Sequence, residues 1–120
     1  MHKQPRWKRI FKRDYHAKIE ASKEEYIEYQ AMTRLLSLQQ AGEKLFSTVS
    51  NFLQYKYDKK TSSHNETLKM VKNNKDDEDL LLDAGRLHSF YYNSTLYMPV
   101  YEAERTFKRV LERLEARLRN

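Results

Sequence analysis

The sequence predicts an all-α protein, and three observations carry that expectation. Apolar residues recur in steps of three and four along most of the chain. Only two glycines and two prolines stand among its 120 residues, too few for the turns of a β-fold. No stretch shows a convincing alternation of period two. The apolar stripes are one-sided and the polar connections are short. Such helices must bury their stripes against one another, and a compact up-and-down bundle of four or five is the natural solution. A basic N-terminal helix is expected in addition. The length fits one domain, which can bury roughly 65% of its unfolded surface without disulfides or a metal.

Pro5 suits a helix first turn, and Trp7, Ile10, Phe11, Tyr15 and Ile19 follow at helical spacing. A short helix over about residues 6–20 is expected, with residues 1–21 read as a basic arm or short helix and residues 22–120 as the bundle. Ser22-Lys23-Glu24-Glu25 has the form of a capping box. It opens the longest helical pattern, Lys23 to about Tyr57, whose stripe runs through Met32, Leu35, Leu36, Leu45, Phe46, Val49, Phe52 and Leu53. Gly42 lies inside that stripe, where glycine costs about 1 kcal/mol against alanine. The period passes through it unshifted, so a close helix–helix approach is preferred to a break. Ser63-His64-Asn65-Glu66 is a second capping-box pattern, opening a short helix to about Asn73. Asp76, Asp77, Glu78 and Asp79 then occupy the cap and first turn of a helix reaching about Tyr92, where the macrodipole favours negative charge. The cluster thus needs no metal. Leu80, Ala84, Leu87 and Tyr91 share that helix's inner face. Pro99 starts the last helix, with Val100, Ala103, Phe107, Val110, Leu111, Leu114 and Leu118 inward.

The formal net charge is +6, from 23 basic and 17 acidic residues. Lys3, Arg6, Lys8, Arg9, Lys12 and Arg13 carry that entire surplus, and the rest of the chain is balanced. These cations suit phosphates, and Trp7 or Phe11 among them suits stacking on bases. The alternative is a solvated extension whose apolar residues pack back on the body. The chain has no cysteine, which excludes disulfide scaffolds, zinc fingers and thiol nucleophiles. No apolar run approaches the ~20 residues of a membrane span, and no apolar leader is visible. A cytoplasmic protein without membrane attachment is expected. Walker, G-x-G-x-x-G, G-x-S-x-G and H-E-x-x-H motifs are all absent, so no cofactor and no metal are expected.

Three segments form a familiar set in this order: Ala41-Gly42-Glu43-Lys44-Leu45-Phe46 late in a long helix, Ser63-His64-Asn65-Glu66 opening a short one, and Leu87-His88-Ser89-Phe90-Tyr91-Tyr92-Asn93 before a final helix begun by Pro99. Over roughly residues 25–118 the chain resembles the HEPN superfamily, most closely its small archaeal paralogous-repeat branch. The resemblance implies an antiparallel four-helix bundle, often a homodimer. Many superfamily members cut RNA without a metal, and others pair with a nucleotidyltransferase in toxin–antitoxin systems. The nuclease members carry an arginine, four to six residues, then a histidine. His88 matches the histidine, but positions 81, 82 and 83 are Leu81, Leu82 and Asp83, so the motif is incomplete. A formal match at Arg9 and His16 falls in the wrong part of the fold.

The candidate catalytic or ligand-binding residues are therefore His64, His88 and Tyr91. A histidine pair facing across a bundle end, beside Tyr91, Tyr92 or Lys44, could perform acid–base chemistry or bind a phosphate. The alternative is that both histidines make structural hydrogen bonds. The nine tyrosines suit helix margins, or an aromatic dimer interface. Three functions follow in order: a non-catalytic dimeric module binding a partner protein, a nucleotide or RNA; a nucleic-acid binder using residues 3–13; and a metal-independent ribonuclease.

Overall fold

A computed structural model of the chain describes residues 6–32 and 34–119. Five α-helices account for nearly all of it: α1 (Arg6–Met32), α2 (Leu35–Tyr57), α3 (His64–Val71), α4 (Lys75–Asn93) and α5 (Val100–Leu118), with a 3-10 turn at Ser94–Leu96 before α5. The described residues contain no strand, as the sequence predicts. No described helix is long and apolar enough to cross a membrane.

The first expectation to fail is the boundary at Ser22. α1 runs unbroken for 27 residues, so residues 6–13 of the basic segment are the front of a long helix and not a separate one. Ser22 is fully buried within it, and its hydroxyl donates to the Ala41 carbonyl of α2 at 2.9 Å. Ala21, Lys23, Glu24 and Glu25 are good helix formers, so nothing local stops the helix there. The break falls instead at Arg34, which is extended (φ −88°, ψ 115°) and caps α2 without a side-chain bond.

Contacts along the helices run in opposite senses. On α1 and α2, Lys8 meets Asp58 while Ser22 meets Ala41. On α2 and α4, Lys56 meets Asp77 while Glu43 meets His88. On α4 and α5, Asp77 meets Arg117 while Arg86 meets Glu102. Each of these pairs is antiparallel. The core they enclose contains Ile19 and Tyr26 from α1, Leu38, Leu45, Val49 and Leu53 from α2, Leu80, Leu87 and Phe90 from α4, and Phe107, Val110 and Leu114 from α5. Two members of the expected stripe, Leu35 and Leu36, are exposed instead, while Ser37 and Leu38 of the same turn are buried. Phe90, not Tyr91, completes the inner face of α4.

Gly42 makes the close approach that its place in the stripe suggests. A Cβ there would stand 3.3 Å from the Leu87 Cβ, tighter than ordinary contact. The cap at Ser63 forms as expected, whereas α4 is capped by Asn74 and begins at Lys75, so the acidic run lies inside its first turns and not at the cap. Ser63 accepts from the Glu66 amide at 3.2 Å, although the Glu66 carboxylate turns to the amide and hydroxyl of Ser62 and not back to Ser63. Asn74 caps α4 by accepting from the Asp77 amide at 3.1 Å. Pro99 is the N-cap of α5, one position earlier than its expected first-turn place.

Candidate functional site

The two histidines separated by 24 positions in sequence meet the same ring. Phe46, on the α2 face toward α3 and α4, has the His88 imidazole stacked at 4.6 Å and the His64 imidazole edge-on at 5.2 Å between centroids. His64 reaches this position because Ser63 caps α3 and places it in the first turn. Gly85 lets the ring lie against α4: a Cβ at that position would be 3.3 Å from His64 Nε2. His88 stands one helical turn further along α4, on the same side. Around the rings lies a cleft of about 300 Å³, lined by Phe46, Ser50, Gln54, Thr61, His64 and His88 among others.

Most polar groups in the cleft are already satisfied. Gln54 donates to Ser50 and accepts from the Thr61 amide at 3.0 Å. Thr61 and Thr67 share a hydroxyl–hydroxyl bond at 2.6 Å. The imidazoles are different. His88 Nδ1 lies 2.7 Å from a Glu43 carboxylate oxygen and 3.0 Å from the other. In the neutral ring, a carboxylate in that position accepts from Nδ1–H and leaves Nε2 as the acceptor. His64 Nδ1 is buried without a partner. Burial, reinforced by the neighbouring His88, lowers the His64 pKa below its ordinary 6.5, so this ring is neutral at physiological pH.

The remaining candidates are dispersed. Tyr91 stays outside the cleft, edge-on to Tyr92 at 4.9 Å, and its carbonyl accepts from Gln39 at 3.1 Å. Tyr92 does meet His88, edge-on at 4.9 Å. Lys44 turns away to pair with Glu25 on α1. Arg86 pairs with Glu102 at 2.7 Å, so it does not supply the arginine missing from the nuclease motif. Arg6 is exposed at the start of α1. Lys8 binds Asp58 at 3.1 Å and lies 4.9 Å above the Tyr55 ring, and Arg9 is likewise engaged. Lys3 and the side chains of Trp7, Lys12 and Arg13 lie outside the described residues. No group of three or more potential ligands among the described residues is placed to hold a metal.

Sequence reasoning missed Glu43 and Gly85. Glu43 sits three residues before Phe46, which puts both on one helical face, but its partner is 45 positions away and only the α2–α4 packing joins them. Gly85 carried a usable signal: it is the second of two glycines, three residues before His88 in a helix with no other reason to tolerate it. A separate hollow of about 470 Å³ lies beside Asp77, lined by Tyr55, Lys56 and Arg117 among others. Asp77 there accepts from Lys56 at 2.7 Å, from the Tyr57 hydroxyl at 2.6 Å and from Arg117. That cluster ties α2, α4 and α5 together and is structural.

Comparison of the chain with family models, with curated proteins and with solved structures gave no match.

Proposed function

We propose that the chain is a HEPN-like module, an antiparallel four-helix bundle acting as a non-catalytic homodimer, which binds a nucleotide or RNA ligand at the His64–His88 cleft. The observation that supports this reading is the meeting of two imidazoles on the aromatic floor of Phe46, in the lining of a cleft of about 300 Å³. Exposed Tyr92 beside His88 supplies a ring for stacking a base. The absence of any arginine from the cleft lining favours binding over cleavage, because a phosphoryl transition state needs a cation placed on it. The homodimer has support in the apolar side chains of the α4–α5 turn, where Leu96 is 95% exposed and Tyr97 and Tyr101 are exposed as well. A nucleotidyltransferase-type partner seated on the same turn is the other occupant consistent with the resemblance.

The test is imidazole NMR of the pure protein titrated with a nucleoside monophosphate and with a short single-stranded RNA. Binding at the cleft moves the His64 and His88 resonances and leaves His16 in place. Titration without movement of either cleft histidine overturns the reading. Sedimentation tests the dimer: Leu96→Lys is expected to shift the equilibrium to monomer.

A second reading, metal-independent RNA cleavage, draws on one specific feature, the Glu43 carboxylate that orients His88. In that reading Nε2 of His88 is the base. RNA incubated with the pure protein would be cut, and cutting that persists in His88→Ala ends the idea.

A further inference from the structure

Beyond its first thirteen residues the chain is balanced in charge, but the charges are unevenly placed. The stretch from Lys59 to Lys72 holds four lysines, Lys59, Lys60, Lys69 and Lys72, against one carboxylate, Glu66. It comprises the loop after α2, all of α3 and the α3 C-cap. All four lysines are exposed, and among the described residues none of them makes an ion pair. The cations on either side differ in this respect, since Lys56 is held by Asp77 and Lys75 by Asp79.

The one carboxylate in the stretch is engaged by its own loop. Glu66 accepts from the Ser62 amide and from the Ser62 hydroxyl, both at 2.9 Å, which ties the loop to the first turn of α3. Those two bonds, and then the nearby charges of Lys59 and Lys69, hold its carboxyl below the ordinary 4.5. Lys59 from the loop and Lys69 from the helix therefore flank the same carboxylate. Glu66, Lys69 and Lys72 follow in steps of three along the outward side of α3, while Thr67 and Val71 turn inward. This strip begins at the rim of the histidine cleft. Thr61, Ser62 and Ser63, which join Lys60 to His64, all line that cleft, and Thr67 does so from α3.

We propose that the ligand of the cleft is a strand of single-stranded nucleic acid and not a free nucleotide: one nucleotide occupies the cleft, and the phosphates next to it run over Lys59, Lys60, Lys69 and Lys72. This deepens the reading of the cleft given above and rests on it. The eight residues of α3 span about 12 Å, so the strip leads well away from the rings, where only a ligand with repeated charges reaches it. Unpaired ammonium groups on flexible stems act as point charges, which suits phosphates whose positions vary along a strand. An acidic peptide would meet the same lysines, but it carries no base to lie on the exposed Tyr92 ring beside His88.

The experiment measures binding of a short, fluorescently labelled single-stranded RNA to the full chain by anisotropy across a salt series. Four phosphate contacts predict a slope of log K against log salt near −3, at about −0.7 per contact. The double variant Lys59→Gln with Lys69→Gln is expected to reduce that slope by about 1.4, and to weaken binding about tenfold at roughly 0.15 M salt. It should leave unchanged the shifts of His64 and His88 caused by a nucleoside monophosphate. Arg105→Gln with Lys108→Gln removes two exposed cations from α5 and controls for unspecific charge. If both double variants lose equal affinity while the monophosphate still moves the two histidines, the inference falls and the cleft reading stands. If neither RNA nor the monophosphate moves those histidines, the cleft reading falls and takes the inference with it. Poly-glutamate that competes as well as RNA assigns the lysines to an acidic protein, which also overturns the inference.

Discussion

At the scale of single residues, two titrating groups make sharp predictions. His64 binds protons less readily folded than unfolded, since its folded pKa lies below 6.5. Between those two values the unfolded chain holds more protons, so stability rises with pH through that window and is lost as the pH falls below 6.5. Chemical denaturation at a series of pH values is expected to show this slope, and His64→Gln to remove it; a slope unchanged in the variant would contradict the assignment. Asp77 behaves in the opposite sense to an ordinary buried acid. Burial alone raises its pKa, but hydrogen bonds from Lys56, Tyr57 and Arg117 more than offset this and hold it below 3.8. Its contribution is complete above 3.8 and is lost as the pH falls through the lower, folded value. Asp77→Ala leaves two cations facing each other across an empty site. We expect a loss of about 2–3 kcal/mol, short of the ~3–5 for a fully buried pair because Lys56 is partly in water. The Tyr57 hydroxyl, partly buried and bonded to that carboxylate, is pushed up to about 12, so it stays neutral and remains a donor over the whole physiological range. The acidic run 76–79 was legible as a helix start. That Asp77 alone of the four turns inward was not, because its partners come from residues 56, 57 and 117.

At the scale of helices, the sequence pattern located α3, α4 and α5 to within a few residues, since each opens with a side-chain cap or a proline. It misplaced the division between α1 and α2. Ser22 and Glu25 imitate a capping box, whereas the true turn at Arg34 has no side-chain cap, glycine or proline to announce it. The contact of Ser22 with Ala41 explains the small residue: with Ala41 opposite, it lets the helices approach closely. Gly42→Ala tests the packing. The added methyl meets the Leu87 Cβ at 3.3 Å, a rigid part of α4, so the strain of overpacking should exceed the ~1 kcal/mol gained in helix propensity. A net loss of about 1 kcal/mol is expected in thermal or urea unfolding. The turn after α4 stores strain of another kind. Ser94 adopts φ 55°, ψ −140°, a conformation that side chains rarely take. Ser94→Gly is expected to raise stability by about 0.5–1 kcal/mol, read as a higher midpoint in the same assay.

At the scale of the whole molecule, α5 is fastened to α4 by carboxylates at two levels, Asp77 with Arg117 and Asp83 with Arg109. Six residues of helix separate them by about 9 Å, and they share no partner. The losses caused by Asp77→Asn and Asp83→Asn should therefore add within ~0.5 kcal/mol in the double variant; a clear departure would mean that α5 detaches as one unit. What the amino-acid order determined by itself was the helical class, most helix starts and the two histidines, because periodicity, caps and composition act over a few neighbouring residues. Only the tertiary structure decided that residues 6–13 continue without a break into the rest of α1, that Glu43 meets His88, and that arginines from α4 and α5 share one carboxylate. Those pairings join positions tens of residues apart. They follow from the register in which antiparallel helices bury their stripes, and no local rule contains that register.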